Sequence, residues 1–370
     1  MNSLEALLAL NQLPKIGPVR VRRMLEHFHT PMGILSASID RLVRVDGIGP
    51  ELARVIHQWQ DYADPTSELR EAKERNISII THEDENYPTA LRDAYDPPLL
   101  LYVWGELLPT DRHAISIVGS RRATSYGMQA AKQFSYQLAQ AGFTIISGLA
   151  RGIDTAAHEA AVAANGRTIA VIGSGLAQLF PAENLPLAQK IADGRGAVVS
   201  EFPLHMPPNK QTFPLRNRIV AAWGQAALVV ECPAWSGSLI TANLASEYGK
   251  PIFAVPGPID LASSQGCHQL IRDGATLVFD PVHILDELSD LPFHAKSNSN
   301  LTAKTETPRA TIELPAEEAS VFSAVSEHEK SVDHIIEQSG LPVHVVMSTL
   351  MKLEMRGLVL ASAGFRYRRR

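Results

Sequence analysis

The chain has 370 residues and a formal charge of −5, with 45% hydrophobic and 20% charged residues, the balance of a globular protein with a large core. That charge excludes a protein that coats itself in nucleic acid by bulk electrostatics, so any polyanion contact has to be local. Two cysteines, Cys232 and Cys267, exclude a disulfide framework, and thirteen scattered histidines without an H-E-x-x-H pairing offer no metal site.

The opening M-N-S-L-E-A-L-L-A-L has no basic segment, and Glu5 and Asn11 interrupt its apolar run, so no signal peptide is expected. Nor does any stretch reach the ~20 apolar residues of a membrane-spanning helix. The expected setting is the cytoplasm, with no membrane partner.

Residues 1–75 read as short helices joined by glycine-proline turns. Leu13-Pro14-Lys15-Ile16-Gly17-Pro18 precedes a helical run from Val19 to Phe28, and Val45-Asp46-Gly47-Ile48-Gly49-Pro50 precedes one from Glu51 to Trp59. Proline suits the first position of both helices. The second turn, G-I-G-P-E-L-A, is similar to the helix-hairpin-helix element, which offers backbone amides to a phosphate without reading bases. In the first turn Lys15 stands where the leading glycine would be, with Arg20, Arg22 and Arg23 close by as cations for a phosphate. A small helical protein-interaction module is the other reading of these turns.

From residue 76 to 290 short apolar strands alternate with helix-length segments, the pattern of a mostly parallel sheet. The expected strands are Ile77 to Thr81, Leu99 to Val103, Ala114 to Val118, Thr144 to Ile146, Ile169 to Ile172, Ala197 to Val199, Leu228 to Val230, Ile252 to Val255 and Thr276 to Val278. They predict an α/β fold, an extended Rossmann-like doubly wound sheet with its ligand beyond the carboxyl ends of the strands. Residues 291–315 are polar and aperiodic and read as a linker. In residues 316–370, helices over Glu317 to Ser326, Ser331 to Ser339 and Pro342 to Arg356 precede two wing strands, Leu358 to Ala361 and Phe365 to Arg368. That order predicts a winged helix. Its third helix has few groups able to read bases, His344, Ser348, Thr349 and Lys352, so sequence-specific binding in the major groove is not expected. The terminal Phe365-Arg366-Tyr367-Arg368-Arg369-Arg370 reads either as a DNA-gripping tail or as a solvated basic one.

Four turn phrases follow strands of the central domain. Gly119-Ser120-Arg121-Arg122 offers a helix-capping serine and a guanidinium able to hold phosphate bidentately. Ile145 to His158, I-I-S-G-L-A-R-G-I-D-T-A-A-H, runs from a strand through a glycine turn into a helix, with Ser147, Gly148, Arg151, Gly152 and Asp154 in the turn; it reads as a phosphate cradle. Gly173-Ser174-Gly175 leads to Phe180-Pro181-Ala182-Glu183-Asn184. The fourth, Ala234-Trp235-Ser236-Gly237-Ser238-Leu239-Ile240-Thr241-Ala242, is again a small-residue turn entering a helix. A single such turn is explained by chain reversal alone, whereas four at one sheet edge predict a binding surface. Neither a G-x-G-x-x-G fingerprint nor a G-K-[ST] P-loop is present, so no cofactor and no nucleoside triphosphatase activity are expected.

Between residues 209 and 218, N-K-Q-T-F-P-L-R-N-R interleaves cations with an aromatic. Lys210, Arg216 and Arg218 can follow a nucleic-acid backbone, and Phe213 can stack on an unpaired base for roughly 1–3 kcal/mol. The alternative is a surface segment whose Phe213 packs inward and whose arginines pair with carboxylates such as Glu201 and Glu231.

Taken together, V-G-S-R-R, S-G-L-A-R-G-I-D-T-A-A-H, F-P-A-E-N, S-E-F-P, F-P-L-R-N-R-I, S-G-S-L-I-T-A and V-P-G, in that order from residue 118 to 257, resemble the DNA-processing protein A family, also called Smf. The resemblance covers the central domain, and the N-terminal helix-hairpin-helix (SAM-like) and C-terminal winged-helix domains fit the longer members. It implies a homodimeric, non-enzymatic protein that binds and protects single-stranded DNA and helps load the RecA recombinase onto it, as in natural transformation. Carried over, Arg121 with Lys210 and Phe213 would be the main contacts. Gly119, Ser120, Arg122, Ser147, Gly148, Arg151, Arg216, Asn217, Arg218, Ser236, Gly237 and Ser238 would complete the site. Ala182 stands where some relatives have a lysine. Two other functions remain at this point. A Rossmann-like enzyme releasing ribose phosphate from nucleotides would use P-G-G-x-G-T-x-x-E, but here the helix after Ser236 has no glutamate before Glu247. A sensor of a small nucleotide would use the same phosphate turns.

Overall fold

The computed structural model describes residues 1–289, 316–326, 330–355, 358–362 and 366–369. The chain falls into two compact units, divided between residues 295 and 296. The expected linker, residues 291–315, lies outside the described residues.

In the first unit nine strands build one sheet: β1 Ile77–Thr81, β2 Leu100–Gly105, β3 Ala114–Val118, β4 Thr144–Ser147, β5 Thr168–Val171, β6 Gly196–Ser200, β7 Ala226–Val229, β8 Ile252–Ala254 and β9 Thr276–Leu277. Every predicted strand is present, with ends moved by at most two residues. The spatial order is β1-β2-β6-β5-β4-β3-β7-β8-β9. Pairing is parallel from β6 across to β9, while β1 with β2 and β2 with β6 are antiparallel. The parallel strands β3 to β7 are buried throughout, because helices cover both faces.

Alternation along the strands decides which side chains meet which helices. Ile115, Ile117, Leu228 and Phe253 point to one face, where Phe134 and Leu138 of the helix Ser125–Gln140 and Ala157 of the helix Ile153–Ala163 cover them. Ile146, Ile169, Val171 and Val229 point to the other, under Ile219 and Trp223 of the helix Thr212–Trp223 and Leu270 of the helix Gln265–Arg272. The winding reverses at β3, which has β4 on one side and β7 on the other. The crevice beyond the carboxyl ends of β3 and β7 is therefore the switch point of the sheet.

The N-terminal helices belong to the same compact unit. The helix Ser3–Gln12 starts with a capping box: the Asn2 side chain accepts from the Glu5 amide at 2.8 Å, and the Asn2 amide donates back to Glu5 at 2.7 Å. It is buried on two sides. Ala6, Ala9 and Leu10 enter the helical core with Met24, Ile34 and Ile56, while Leu7 and Leu8 pack with Ile77, Tyr102 and Val198 of the sheet. Each of these leucines contributes roughly 1.5–3 kcal/mol by burial. The two glycine-proline turns have matching backbones: Lys15 has φ 62° where Gly47 has φ 81°, and Pro18 and Pro50 begin the helices Pro18–Phe28 and Pro50–His57. Arg20 bridges them, donating to the carbonyls of Lys15 at 3.0 Å and Gly47 at 3.2 Å. The other expected phosphate cations there are engaged internally, Lys15 with Glu51 at 3.4 Å, Arg23 with Asp46 at 2.8 Å and Arg22 with the Tyr95 carbonyl at 2.9 Å.

The second unit has the helices Ala316–Ala324, Val332–Ser339 and Val343–Met355 and the strands β10 Lys330–Ser331, β11 Val359–Ser362 and β12 Arg366–Arg369. The sheet order is β10-β12-β11, one strand more than the predicted wing. Val321, Ile335, Val346, Leu350 and Leu353 form its core. Thr349 is buried, so one of the four groups able to read bases is turned inward, leaving His344, Ser348 and Lys352 exposed. The backbone of Arg366–Arg369 is a strand, not a free tail; Phe365 and Arg370 lie outside the described residues.

Candidate nucleic-acid interface

At the switch point the loops after β3, β4, β7 and β8 and the helix Thr212–Trp223 enclose an open groove of about 660 Å³. Its lining includes Gly119, Ser120, Arg121, Arg122, Gly148, Lys210, Phe213, Arg216, Asn217, Ser236, Gly237 and Ser238. Residues scattered over more than a hundred positions thus converge, because parallel strands present their following loops at one edge. A smaller cavity of about 80 Å³ adjoins it, where Arg151, Gly173, Phe180 and Pro181 meet Arg121 and Phe213.

The free cations are Arg121, Arg122 and Lys210: all are exposed and, among the described residues, make no ion pair. Arg121 is held by stacking, its guanidinium carbon 4.9 Å from the centre of the Phe213 ring. Phe213 in turn leans on Phe180 at 5.9 Å and fills the space above Gly173. The aromatic expected to meet a base is therefore half-buried and serves first to position the arginine.

Other expected contacts are corrected by their partners. The Ser147 hydroxyl is fully buried and donates to the Ile117 carbonyl at 2.6 Å, so it cannot reach a phosphate. Arg218 is buried outside the groove lining, paired with Glu201 and with Asp96 at 3.3 Å. The alternative reading with Glu201 describes it correctly. Arg216 is also buried: its Nη1 donates to the carbonyls of Gly148 and Val171, which turns its charge inward. Burial pulls this guanidinium down to about 10, against the opposing pull of Asp154. Arg151 pairs with Glu183 on the surface. Ser120 does not cap the next helix; its Oγ accepts from the Arg122 amide at 3.1 Å, and Thr124 is the cap, accepting from Gly127 at 3.2 Å.

The turn that reads most like a phosphate cradle satisfies itself. Asp154 accepts from the amides of Gly148 at 3.1 Å and Ala150 at 3.3 Å, and Asn184 donates to the Leu149 carbonyl at 2.8 Å. Leu149, buried, sits in the left-handed region at φ 55°. A buried carboxylate thus takes the amides an anion would have used, and burial raises its affinity for a proton above that of an ordinary aspartate. Gly152 is needed where the turn crosses the loop after β3: with φ 78°, a Cβ would run into the Ser120 carbonyl oxygen and lie 2.9 Å from the Arg121 carbonyl carbon. Gly152→Ala is expected to lose about 1–3 kcal/mol of stability, measured by urea unfolding, because it adds a clash to a backbone only glycine adopts easily.

Behind the turn lies His158, fully buried, its Nδ1 2.7 Å from Thr168 Oγ1. Burial, with Arg216 adding to it, holds its pKa down to about 3, against 6.5 for an ordinary histidine. The unfolded chain therefore takes up a proton between pH 6.5 and 3 that the folded chain refuses, so stability falls as the pH drops through that window. The slope from this group is at most about 1.4 kcal/mol per pH unit. Urea unfolding of His158→Gln should show a shallower decline from pH 6 to 5 than the parent; an identical slope would clear His158 of the effect.

At the fourth turn, Ser236 caps the helix Gly237–Glu247, accepting from the Ser238 amide at 3.2 Å, and its Oγ lies 2.6 Å from Ser238 Oγ. Ser238 Oγ donates to Cys232 Sγ at 3.2 Å, and Asn217 Nδ2 donates to the Gly237 carbonyl at 3.4 Å. Two groups carry more than their sequence suggested. Glu231 Oε2 accepts from the Thr124 hydroxyl at 2.6 Å and fixes the start of the helix Ser125–Gln140. Trp235 lines the groove at 97% exposure; its only signal was an aromatic within a turn of small residues. The one carboxylate in the lining is Asp154, already used by the loop.

A model of the family described as DNA recombination-mediator protein A matches residues 78–289. A winged-helix model of the same family matches residues 305–364, and a SAM-like helix-hairpin-helix tandem matches residues 7–58. Protein Smf of Synechocystis is 33% identical over 98% of both chains, and protein Smf of Escherichia coli is 39% identical over 78% of this chain and 76% of its own. The X-ray structure of DNA processing protein A from Streptococcus pneumoniae superposes with a TM-score of 0.66 at 32% identity, covering 78% of this chain and 99% of that one. A second structure, which concerns the single-stranded DNA binding mode of DNA processing protein A from Helicobacter pylori, gives a TM-score of 0.52 at 32% identity, over 57% of this chain and 95% of that one.

Proposed function

This chain belongs to the DNA recombination-mediator protein A family, and we propose that in that role it binds single-stranded DNA along the switch-point groove. The observation that carries a polyanion to this groove is three exposed cations, Arg121, Arg122 and Lys210, unpaired among the described residues, with the loop-bound Asp154 the one carboxylate in the lining; the likeness to the Helicobacter pylori protein supports a single strand as that polyanion. Hydroxyls and a helix start at Ser236 to Ser238 extend the same polyanion surface. Asn217 adds a side-chain amide.

The same proposal takes the bound strand to be protected, passed to the RecA recombinase and held by a homodimer, as the resemblance implies for natural transformation. It includes no catalysis. A ribose-phosphate-releasing enzyme would need a carboxylate early in the helix Gly237–Glu247, whose first acidic residue is Glu247 at its far end. Asp154 in the groove lining and Glu231 just after β7 hold backbone and hydroxyl groups of the loops.

Short fluorescent oligonucleotides, single- and double-stranded, titrated across a salt series test this reading. Preference for the single strand is expected, with log K falling by about 0.7 per phosphate contact for each unit of log salt. Equal affinity for duplex, displacement by a mononucleotide at matched phosphate concentration, or release of ribose phosphate would each count against it. Added protein should speed RecA assembly on a strand precoated with single-strand-binding protein; an unchanged lag removes the RecA step alone.

A further inference from the structure

We propose that Trp235 is the base-stacking side chain of the groove, taking the face of one unpaired nucleobase beside the phosphates held by Arg121, Arg122 and Lys210. This rests on the single-strand reading above and assigns its selectivity to one ring.

Trp235 is 97% exposed, more than any other large hydrophobic side chain among the described residues. Its position has an ordinary structural use that the geometry rules out. It immediately precedes the cap Ser236, and the matching residue in the first turn of the helix Gly237–Glu247 is Ile240; such a pair normally closes into a hydrophobic staple. With Trp235 almost wholly in solvent and Ile240 45% exposed, the staple is open. The indole therefore covers no core, and both residues line the groove instead. The groove's other aromatic, Phe213, has Arg121 over its ring, so Trp235 supplies the free π-face.

The cations cannot distinguish one strand from two, since both carry phosphates. An exposed ring can, because the faces of paired bases are hidden in the helical stack while every unpaired base offers one, whatever its sequence. Charge and aromatic surface in one groove fit an unpaired strand better than a duplex or a lone phosphate.

The test compares the full chain, Trp235→Ala, Trp235→Phe and Arg121→Ala with Lys210→Ala on a thymidine oligonucleotide, its duplex and a strand of equal length with abasic sites in place of bases. Trp235→Ala should fold as the parent does, since its side chain is in solvent. It should weaken the base-bearing strand by roughly 5- to 30-fold, change the abasic strand less than about twofold, and leave the salt slope unchanged. The parent should show a tryptophan fluorescence quench on binding, and Trp235→Phe should recover most of the affinity but lack that quench. Unaltered binding of the base-bearing strand by Trp235→Ala, an equal loss on the abasic strand, or a changed oligomeric state with DNA affinity intact would overturn the proposal. If the cation variant is weakened while Trp235→Ala is not, the groove reading survives and only the stacking role falls. If the parent itself does not favour the single strand, both fall.

Discussion

Arg121→Ala combined with Lys210→Ala is expected to lower affinity for a short single strand on the order of 100-fold or more. Each cation removed takes away a charge-assisted phosphate contact of about 1.5–3 kcal/mol. Both side chains are exposed and pair with no carboxylate among the described residues, so the change costs binding and not folding. The slope of log K against log salt should become shallower by about 1.4, two contacts at about 0.7 each for a single strand. Arg121 is the more demanding of the two, since the Phe213 ring beneath it fixes its direction. Arg121→Lys should therefore recover only part of the loss, a lysine being unable to stack in that way or grip two phosphate oxygens at once. Parent-like affinity and slope in the double variant would place the DNA elsewhere.

The opposite outcome is expected of Arg216→Ala, a residue two positions from a groove-facing proline in the same basic phrase. Its side chain is buried and ties the carbonyls of Gly148 and Val171 together beside Asp154. Removing it leaves two carbonyls short of a donor and a buried carboxyl short of its counter-charge, which costs about 3–5 kcal/mol. Urea unfolding followed by circular dichroism should show a large drop in midpoint. A midpoint shifted by less than about 1 kcal/mol, together with lost DNA affinity, would show that Arg216 faces the ligand after all.

Arg216 and its neighbour Arg218 show where the sequence stops being informative. F-P-L-R-N-R displays three polar groups in a row, and nothing local says which faces in. Helical geometry at Thr212–Trp223 turns Arg216 and Arg218 to opposite buried partners and leaves Asn217 half-exposed between them. The S-G-L-A-R-G-I-D turn carries the same lesson. Its glycines and helix start were legible as an anion site, but Asp154 lies on the first turn of the helix and folds back onto the amides. Nothing local marks out Trp235, since an aromatic in a turn can be packed or exposed, and exposure is a property of the finished surface.

By itself the sequence determined the strands, the parallel sheet, the helical and winged elements and the family, since these rest on local periodicity, turn chemistry and ordered motifs. Only the tertiary structure decided that the helix Ser3–Gln12 is sandwiched against the sheet, that Ser147, Arg216 and Arg218 are internal, and that Arg121, Arg122, Lys210 and Trp235 share one groove. The reason is physical. A backbone preference is set within a few residues, whereas a side chain's burial and partners depend on which distant loops the sheet order brings to the same edge.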